Sequence, residues 1–105
     1  MNEKAVFFML AVFVLLFLGV FAASTYSHEF VHVAINNAVG VESEWHYTIF
    51  PLGAATVPAN ATKSGIAAAA PYHLMNEIVS YNTSTIAFAI LFAALIIALS
   101  IALRD

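Results

Sequence analysis

AVFFMLAVFVLLFLGVFAA, residues 5–23, is an uncharged and mostly apolar run that decides how this chain can fold. A second such run, TIAFAILFAALIIALSIAL, covers residues 85–103. Each has about the 20 residues that an α-helix needs to cross the roughly 30 Å hydrocarbon core of a membrane. We therefore expect an integral membrane protein with two transmembrane helices, one near each end of the sequence.

The composition supports the same interpretation and excludes several kinds of site. Of the 105 residues, 63% are hydrophobic and 9% are charged, and a small soluble domain leaves too much of its area exposed to hide that much apolar surface. The chain has no cysteine, which excludes disulfides, zinc–thiolate sites and iron–sulfur clusters. The net charge is −3 and the chain has no cluster of basic residues, so it lacks the positive charge that binds the phosphates of nucleic acids.

The first apolar run has a secretory signal as its alternative interpretation, because residues 20–22, Val-Phe-Ala, resemble a cleavage site. However, the run is longer than the usual core of about 7–15 residues, and residues 1–4 carry no net positive charge. We expect the segment to be retained as a helix.

The positions of the basic residues favour one orientation of the two spans. Lys4 and Arg104 flank their outer ends, which favours both termini in the cytoplasm. Glycosylation sequons that begin at Asn60 and Asn82 agree with an exterior connecting segment.

The whole chain, residues 1–105, is expected to form a single membrane domain of all-α class with a small β element. Breakers and caps divide it, with Gly40 as the stop of the first helix and Pro71 as an interruption near the start of the next. Alternating Trp, Tyr, Thr and Ile predict a short strand or hairpin arm over residues 42–50, and polar residues predict a loop over residues 57–64. The expected elements are a transmembrane helix at about 4–38, a strand and loop segment at 41–64, a re-entrant or interfacial helix at 65–81 and a transmembrane helix at 84–104.

The stretch His28-Glu29-Phe30-Val31-His32 fits the pattern H-E-x-x-H. On a helix, positions four apart share a face, so both imidazoles can reach one zinc ion. Glu29 is then placed as the base that takes a proton from metal-bound water. The alternative is a chance match whose histidines make ordinary hydrogen bonds. Ionisable groups at the end of a membrane span are costly and usually functional, which favours zinc.

A third zinc ligand has to come from elsewhere in the chain. Glu77 is the first candidate, and His73, one helical turn before it, is either an alternative ligand or a residue that orients one. For Glu77 the competing interpretation is a carboxylate on a helix surface. His46 is a third option, although it is more naturally part of an aromatic group with Trp45 and Tyr47 at the membrane interface.

An apolar helix that leads directly into H-E-x-x-H resembles the intramembrane site-2 protease family of zinc metalloproteases. Gly40 stands where that family often ends its first helix, and Phe50-Pro51-Leu52-Gly53 is similar to its F-P-L-G segment. The stretch from Ile66 to Pro71 resembles the one that normally ends in Gly-Pro. The similarity covers residues 13–81. It implies that His28 and His32 bind zinc and that Glu29 is the catalytic base.

The chain departs from the family pattern in three places. Val31 and Ala70 stand where the family usually has glycine, and the later motif with its aspartate ligand has no counterpart. The resemblance therefore supplies no third ligand. The chain would be a minimal variant that uses Glu77 or His73, one half of a site completed by another chain, or a descendant without the reaction.

Two functions of different class follow. The first is a membrane-embedded zinc metallopeptidase-like protein that cleaves a segment of another membrane protein. The second is a non-catalytic two-span accessory subunit of a larger membrane complex, whose His/Glu cluster is structural or binds metal only. Either one implies association with copies of itself or with other subunits, because two spans cannot enclose a site against lipid.

Overall fold

The computed structural model describes residues 2–49, 53–59 and 61–104, and it is mostly helical with a small sheet. The strands pair antiparallel as a two-stranded hairpin. Both helices are long and apolar enough to cross a membrane. In chain order the elements are helix α1 (Glu3–Ala38), strand β1 (Glu42–Thr48), strand β2 (Gly53–Ala59) and helix α2 (Lys63–Ala102).

Helix α1 begins and ends at the signals in its sequence. The side chain of Asn2 accepts a hydrogen bond of 3.3 Å from the backbone N–H of Ala5, and Glu3 places a negative charge in the first turn. At the other end Gly40 has a φ of 77°, a conformation that costs least in glycine. The 36 residues between form one unbroken helix, which agrees to within one residue with the predicted 4–38.

The hairpin confirms the expected small β element but is larger than predicted. Strand β1 occupies most of the predicted 42–50, and residues 50–52 lie outside the described part of the chain. The expectation of a loop over residues 57–64 is wrong at both ends, because Val57 and Pro58 belong to β2 and pair with β1, and Lys63 begins α2. Proline is tolerated there because both strands of a two-stranded sheet are edge strands.

Helix α2 is one helix where the sequence predicts two. A separate interfacial helix at 65–81 and a span at 84–104 were expected, but 40 residues run without a break from Lys63. Pro71 lies inside the helix, where it removes a single backbone hydrogen bond because it has no N–H. The alanines that precede it are the strongest helix formers, and they favour continuation through that position.

The polar residues that could have capped a new helix instead bond to the preceding turn of α2. Asn82 Nδ2 donates to the backbone oxygen of Ile78 at 2.7 Å, and Thr85 Oγ1 donates to that of Tyr81 at 2.8 Å. Such bonds to the carbonyl four residues earlier let polar side chains sit inside a helix.

The two helices pack antiparallel, and the start of α2 packs against Val41, which lies between α1 and the hairpin. A Cβ atom added at Gly65 would lie 2.7 Å from Val41 Cγ2, so only glycine fits at this contact. Val41 and Ala69, which are 4% and 2% exposed, are the buried hydrophobic residues of the described chain. Further along the helices, the rings of Phe17 and Phe88 have centroids 4.7 Å apart.

Most of the large apolar side chains on both helices are left exposed. Phe7 is 75% exposed and Ile96 is 63% exposed, and neither apolar window contributes any buried residue. The packing between α1 and α2 is therefore concentrated where the polar residues of the two helices meet.

Candidate metal centre

Helix α1 brings together three side chains of the H-E-x-x-H stretch. The Nε2 atoms of His28 and His32 are 3.1 Å apart, and Glu29 Oε1 lies 3.9 Å from His28 Nε2. Ligand atoms from all three residues lie within 4.8 Å of one another, so this group could hold a metal ion. The histidine side chains are only 19% and 14% exposed, which restricts their motion.

Helix α2 contributes Glu77 to the same point. Its Oε1 atom lies 3.1 Å from His28 Nε2 and 2.8 Å from His32 Nε2. Together these atoms form a triangle with edges of 3.1, 3.1 and 2.8 Å, which we call the ligand triangle. The structure thus brings the first-choice third ligand to the two histidines, from a position 45 residues further along the chain.

The ligand triangle has nearly the size that zinc requires. Zinc bonds of about 2.0–2.1 Å at tetrahedral angles place neighbouring ligand atoms about 3.3–3.4 Å apart. The observed edges are shorter by a few tenths of an ångström. A small outward movement of the three side chains would fit the ion.

The charges around the triangle also favour a cation. Glu29 and Glu77 bring two carboxylates to the cluster. The basic residues of the chain, Lys4, Lys63 and Arg104, lie at the ends of the two helices. Each carboxylate has an oxygen within 4 Å of His28 Nε2, so a divalent cation bound at the cluster would be attracted to both.

Two further contacts hold the H-E-x-x-H stretch against the rest of the molecule. Thr56 Oγ1, on β2, donates to the backbone oxygen of Glu29 at 3.1 Å. Asn76 Nδ2, on α2, donates to the backbone oxygen of His28 at 3.1 Å. The hairpin and the second helix therefore both fix the orientation of the motif.

His73 lies on the far side of His32 from the ligand triangle. Its Nδ1 contacts His32 Nδ1 at 2.6 Å, whereas the triangle uses His32 Nε2. The other ring nitrogen, Nε2, lies 2.8 Å from Asn36 Oδ1. Of the two roles predicted for His73, this placement suits the orienting one, because the residue contacts the back of a ligand and not the triangle.

Sequence reasoning missed the two buried asparagines beside the cluster. Asn36 is 5% exposed and Asn76 is 9% exposed. Asn36 follows His32 by four residues and so continues the face of α1 that carries His28 and His32. That periodicity of polar residues in an apolar helix was the signal that could have found it.

His46 lies away from the ligand triangle, on the outer face of the hairpin. Its Nε2 is 3.3 Å from Glu44 Oε2, and both side chains are more than half exposed. The neighbouring Trp45 and Tyr47 point to the opposite face, where their rings contact Tyr26 on α1 at centroid distances of 6.0 and 6.4 Å. The strand alternation thus separates His46 from the aromatic residues with which the sequence grouped it.

Two cavities flank the cluster. One, of about 380 Å³, lies between β2 and the helices and is lined by Glu29, His32 and Thr56. The other, of about 390 Å³, lies between the helices beside His28 and is lined largely by hydroxyl and aromatic side chains. The Nδ1 atom of His28 is buried without a hydrogen-bond partner in the described part of the chain, so its ring is oriented through Nε2 alone.

Comparisons with models of known protein families, with curated protein sequences and with solved structures found no match to this chain.

Proposed function

We propose that this chain is a membrane-embedded zinc metallopeptidase-like protein that cleaves a segment of another membrane protein. The observation that carries the proposal is the ligand triangle of His28, His32 and Glu77, with the carboxylate of Glu29 beside it. Two histidines and a carboxylate are the ligand set of several catalytic zinc sites, which keep a fourth position open.

The chemistry needs a Lewis acid and a base in one place. A zinc ion supplies the first, since it polarises a carbonyl and lowers the pKa of a water molecule. Glu29 supplies the second. Its carboxylate lies 3.9 Å from His28 Nε2, outside the triangle, and is 14% exposed. From there it accepts a proton from the attacking water and returns it to the leaving amine.

The cavity beneath the hairpin is the place for the substrate. It lies between β2 and the side chains of Glu29 and His32, so a peptide within it is next to both the base and a ligand. Both strands of the hairpin are edge strands, so an unwound segment of substrate can pair with one of them.

Residence in the membrane is part of the proposal, as a multi-pass protein with two spans in the lipid bilayer. It is supported by the length and apolar character of α1 and α2 and by their exposed apolar side chains. Lys4 and Arg104 favour both termini on the cytoplasmic side. The helices are about 54 and 60 Å long at 1.5 Å per residue, so each exceeds a hydrocarbon core of roughly 30 Å.

Membership of the site-2 protease-like family remains part of the proposal. It is supported by an H-E-x-x-H stretch on a long apolar helix that ends just before Gly40. Most of the F-P-L-G segment lies outside the described residues. In place of the family's aspartate ligand, we assign Glu77 from the next helix.

The test uses the full chain purified in detergent and a membrane-anchored reporter with a cleavable apolar segment. We expect the wild-type chain to bind zinc and to cut the reporter. The Glu29→Gln variant should bind zinc equally well and fail to cut. Cleavage by this variant at the wild-type rate would contradict the assigned role of Glu29.

The alternative function, a non-catalytic accessory subunit, is favoured by one observation. The described chain leaves most large apolar side chains exposed, and two helices do not surround the cluster. Partner subunits would cover this surface, and the His/Glu cluster would bind a structural metal or form interhelical hydrogen bonds. Zinc binding without cleavage of any reporter by the wild-type chain would favour this function.

A further inference from the structure

We propose that His73, Asn36 and Ser43 form a hydrogen-bond relay that sets the tautomer of His32 and leaves its Nε2 atom unprotonated toward the ligand triangle. The inference rests on the proposed metal site and assigns positioning residues to it. The relay runs from β1 through α1 and α2 to the ligand, with consecutive contacts of 2.8, 2.8 and 2.6 Å.

The relay starts at the amide of Asn36. Its Nδ2 donates to Ser43 Oγ at 2.8 Å, and its Oδ1 lies 2.8 Å from His73 Nε2. An amide oxygen can only accept a hydrogen bond. The proton of that contact therefore belongs to His73 Nε2.

The position of this proton decides the next contact. A neutral imidazole carries one N–H, so His73 with its proton on Nε2 has a lone pair at Nδ1. That lone pair faces His32 Nδ1 at 2.6 Å, so His32 Nδ1 is the donor. Neutral His32 then has its lone pair at Nε2, which is the form that binds a metal.

The consequence appears at the ligand triangle. His32 Nε2 lies 2.8 Å from the carboxylate oxygen of Glu77, and in this tautomer neither atom carries a proton. At that distance two lone pairs repel each other unless a proton or a metal ion lies between them, and the tautomer that the relay sets supplies no proton from His32. The relay thus holds His32 in a form that suits a metal ion.

The relay also joins the hairpin to the site. Ser43 lies on β1 and Asn36 on α1, and Asn36 is 5% exposed, so water is largely excluded from competing for its amide. Displacement of β1 would remove the hydroxyl oxygen that accepts from Asn36 Nδ2, and with it one of the two contacts that hold this amide. Metal binding and hairpin position are therefore linked, and linkage of this kind is reciprocal.

The first readout is the position of the His32 proton. ¹⁵N spectra of the full chain, labelled at histidine and held in detergent without metal, distinguish the two imidazole tautomers. We expect the proton of His32 on Nδ1 in the wild-type chain and in Asn36→Asp, whose carboxylate still accepts from His73 and also from Ser43. In Asn36→Leu, which has no acceptor, the two tautomers should be mixed.

The second readout is zinc affinity by competition with a chelator. Asn36→Leu should bind zinc about 10–100-fold more weakly than wild type, the usual effect of losing such a partner. Asn36→Asp should stay near wild type. Asn82→Leu is the control, because it removes an asparagine from α2 whose amide bonds within its own helix and touches neither the relay nor the ligand triangle.

The tautomer measurements test the relay separately from the proposed function. A wild-type proton on Nε2 of His32, or an Asn36→Leu spectrum identical to wild type, overturns the relay. If Asn36→Leu does not fold, the wild-type tautomer and its retention in Asn36→Asp still decide the question. If the wild-type chain shows the predicted tautomer but binds no zinc, the relay is supported and the proposed function is refuted.

Discussion

Glu77 Oε1 lies 2.8 Å from His32 Nε2, although the two residues are on different helices and 45 positions apart. The contact exists because α2 returns antiparallel to α1 and because Gly65 lets the start of α2 pack against Val41, just after the end of α1. The candidate metal site therefore forms only when the two helices pack together. Each variant below tests one part of this arrangement.

Replacement of Glu77 by Gln should weaken zinc binding by about 100-fold or more, because it removes the carboxylate that completes the ligand triangle. The measurement is chelator competition on purified protein. Glu44→Gln is the control, since Glu44 is an exposed carboxylate on the outer face of the hairpin. Equal affinities of the Glu77 and Glu44 variants would show that Glu77 is not a ligand.

Replacement of Glu29 by Gln should lower the rate of reporter cleavage by about 100-fold or more, the usual contribution of a general base. Zinc content should not change, because Glu29 lies outside the triangle. Single-turnover cleavage and metal analysis of the same preparation measure both quantities. Loss of zinc in this variant would instead make Glu29 a ligand.

Gly65→Ala should destabilise the helix pair by about 1–3 kcal/mol, as overpacking does in a tight contact. The added Cβ would lie 2.7 Å from Val41 Cγ2 and 3.1 Å from Thr62 Oγ1. Gly19→Ala is the matched control, because a Cβ there meets no atom within 4 Å, and alanine favours a helix. In unfolding titrations in detergent, the free energy of unfolding of Gly65→Ala should be lower than that of wild type. That of Gly19→Ala should equal or exceed the wild-type value. The reverse order would refute the close approach.

Both apolar runs should be shielded from water in membranes. Because the natural chain has no cysteine, single cysteines can be introduced without removing any. Cysteines at Leu16 and Ile96 should resist a membrane-impermeant maleimide, and a cysteine at Glu44 should react. Rapid labelling at Leu16 or Ile96 would place that helix in water and refute the two-span arrangement.

Much of the fold and part of the candidate site could be predicted from local sequence signals. Helix α1 can be predicted from sequence because its signals are local. They are the apolar run, the N-cap at Asn2 and the stop at Gly40. The pairing of His28 with His32 follows from helix periodicity. Glu77 was found because few other metal-ligating side chains remain in the chain.

The rest depends on contacts between distant segments. Strand β2 was missed because its alanines and Pro58 have low β propensity, and pairing with β1 overrides that preference. The break expected between the parts of α2 was wrong because Asn82 and Thr85 bond within the helix. The role of Asn36 depends on Ser43 and His73, which lie 7 and 37 residues further along the chain.

The central claim is that side chains from both helices bind one zinc ion. The most direct test is X-ray absorption spectroscopy at the zinc edge, with metal analysis, on purified wild-type and Glu77→Gln protein. The account predicts one zinc per wild-type chain with nitrogen and oxygen ligands at about 2.0–2.1 Å, and loss of this signal in the variant. A wild-type chain that takes up no zinc, or an identical spectrum in Glu77→Gln, would contradict it.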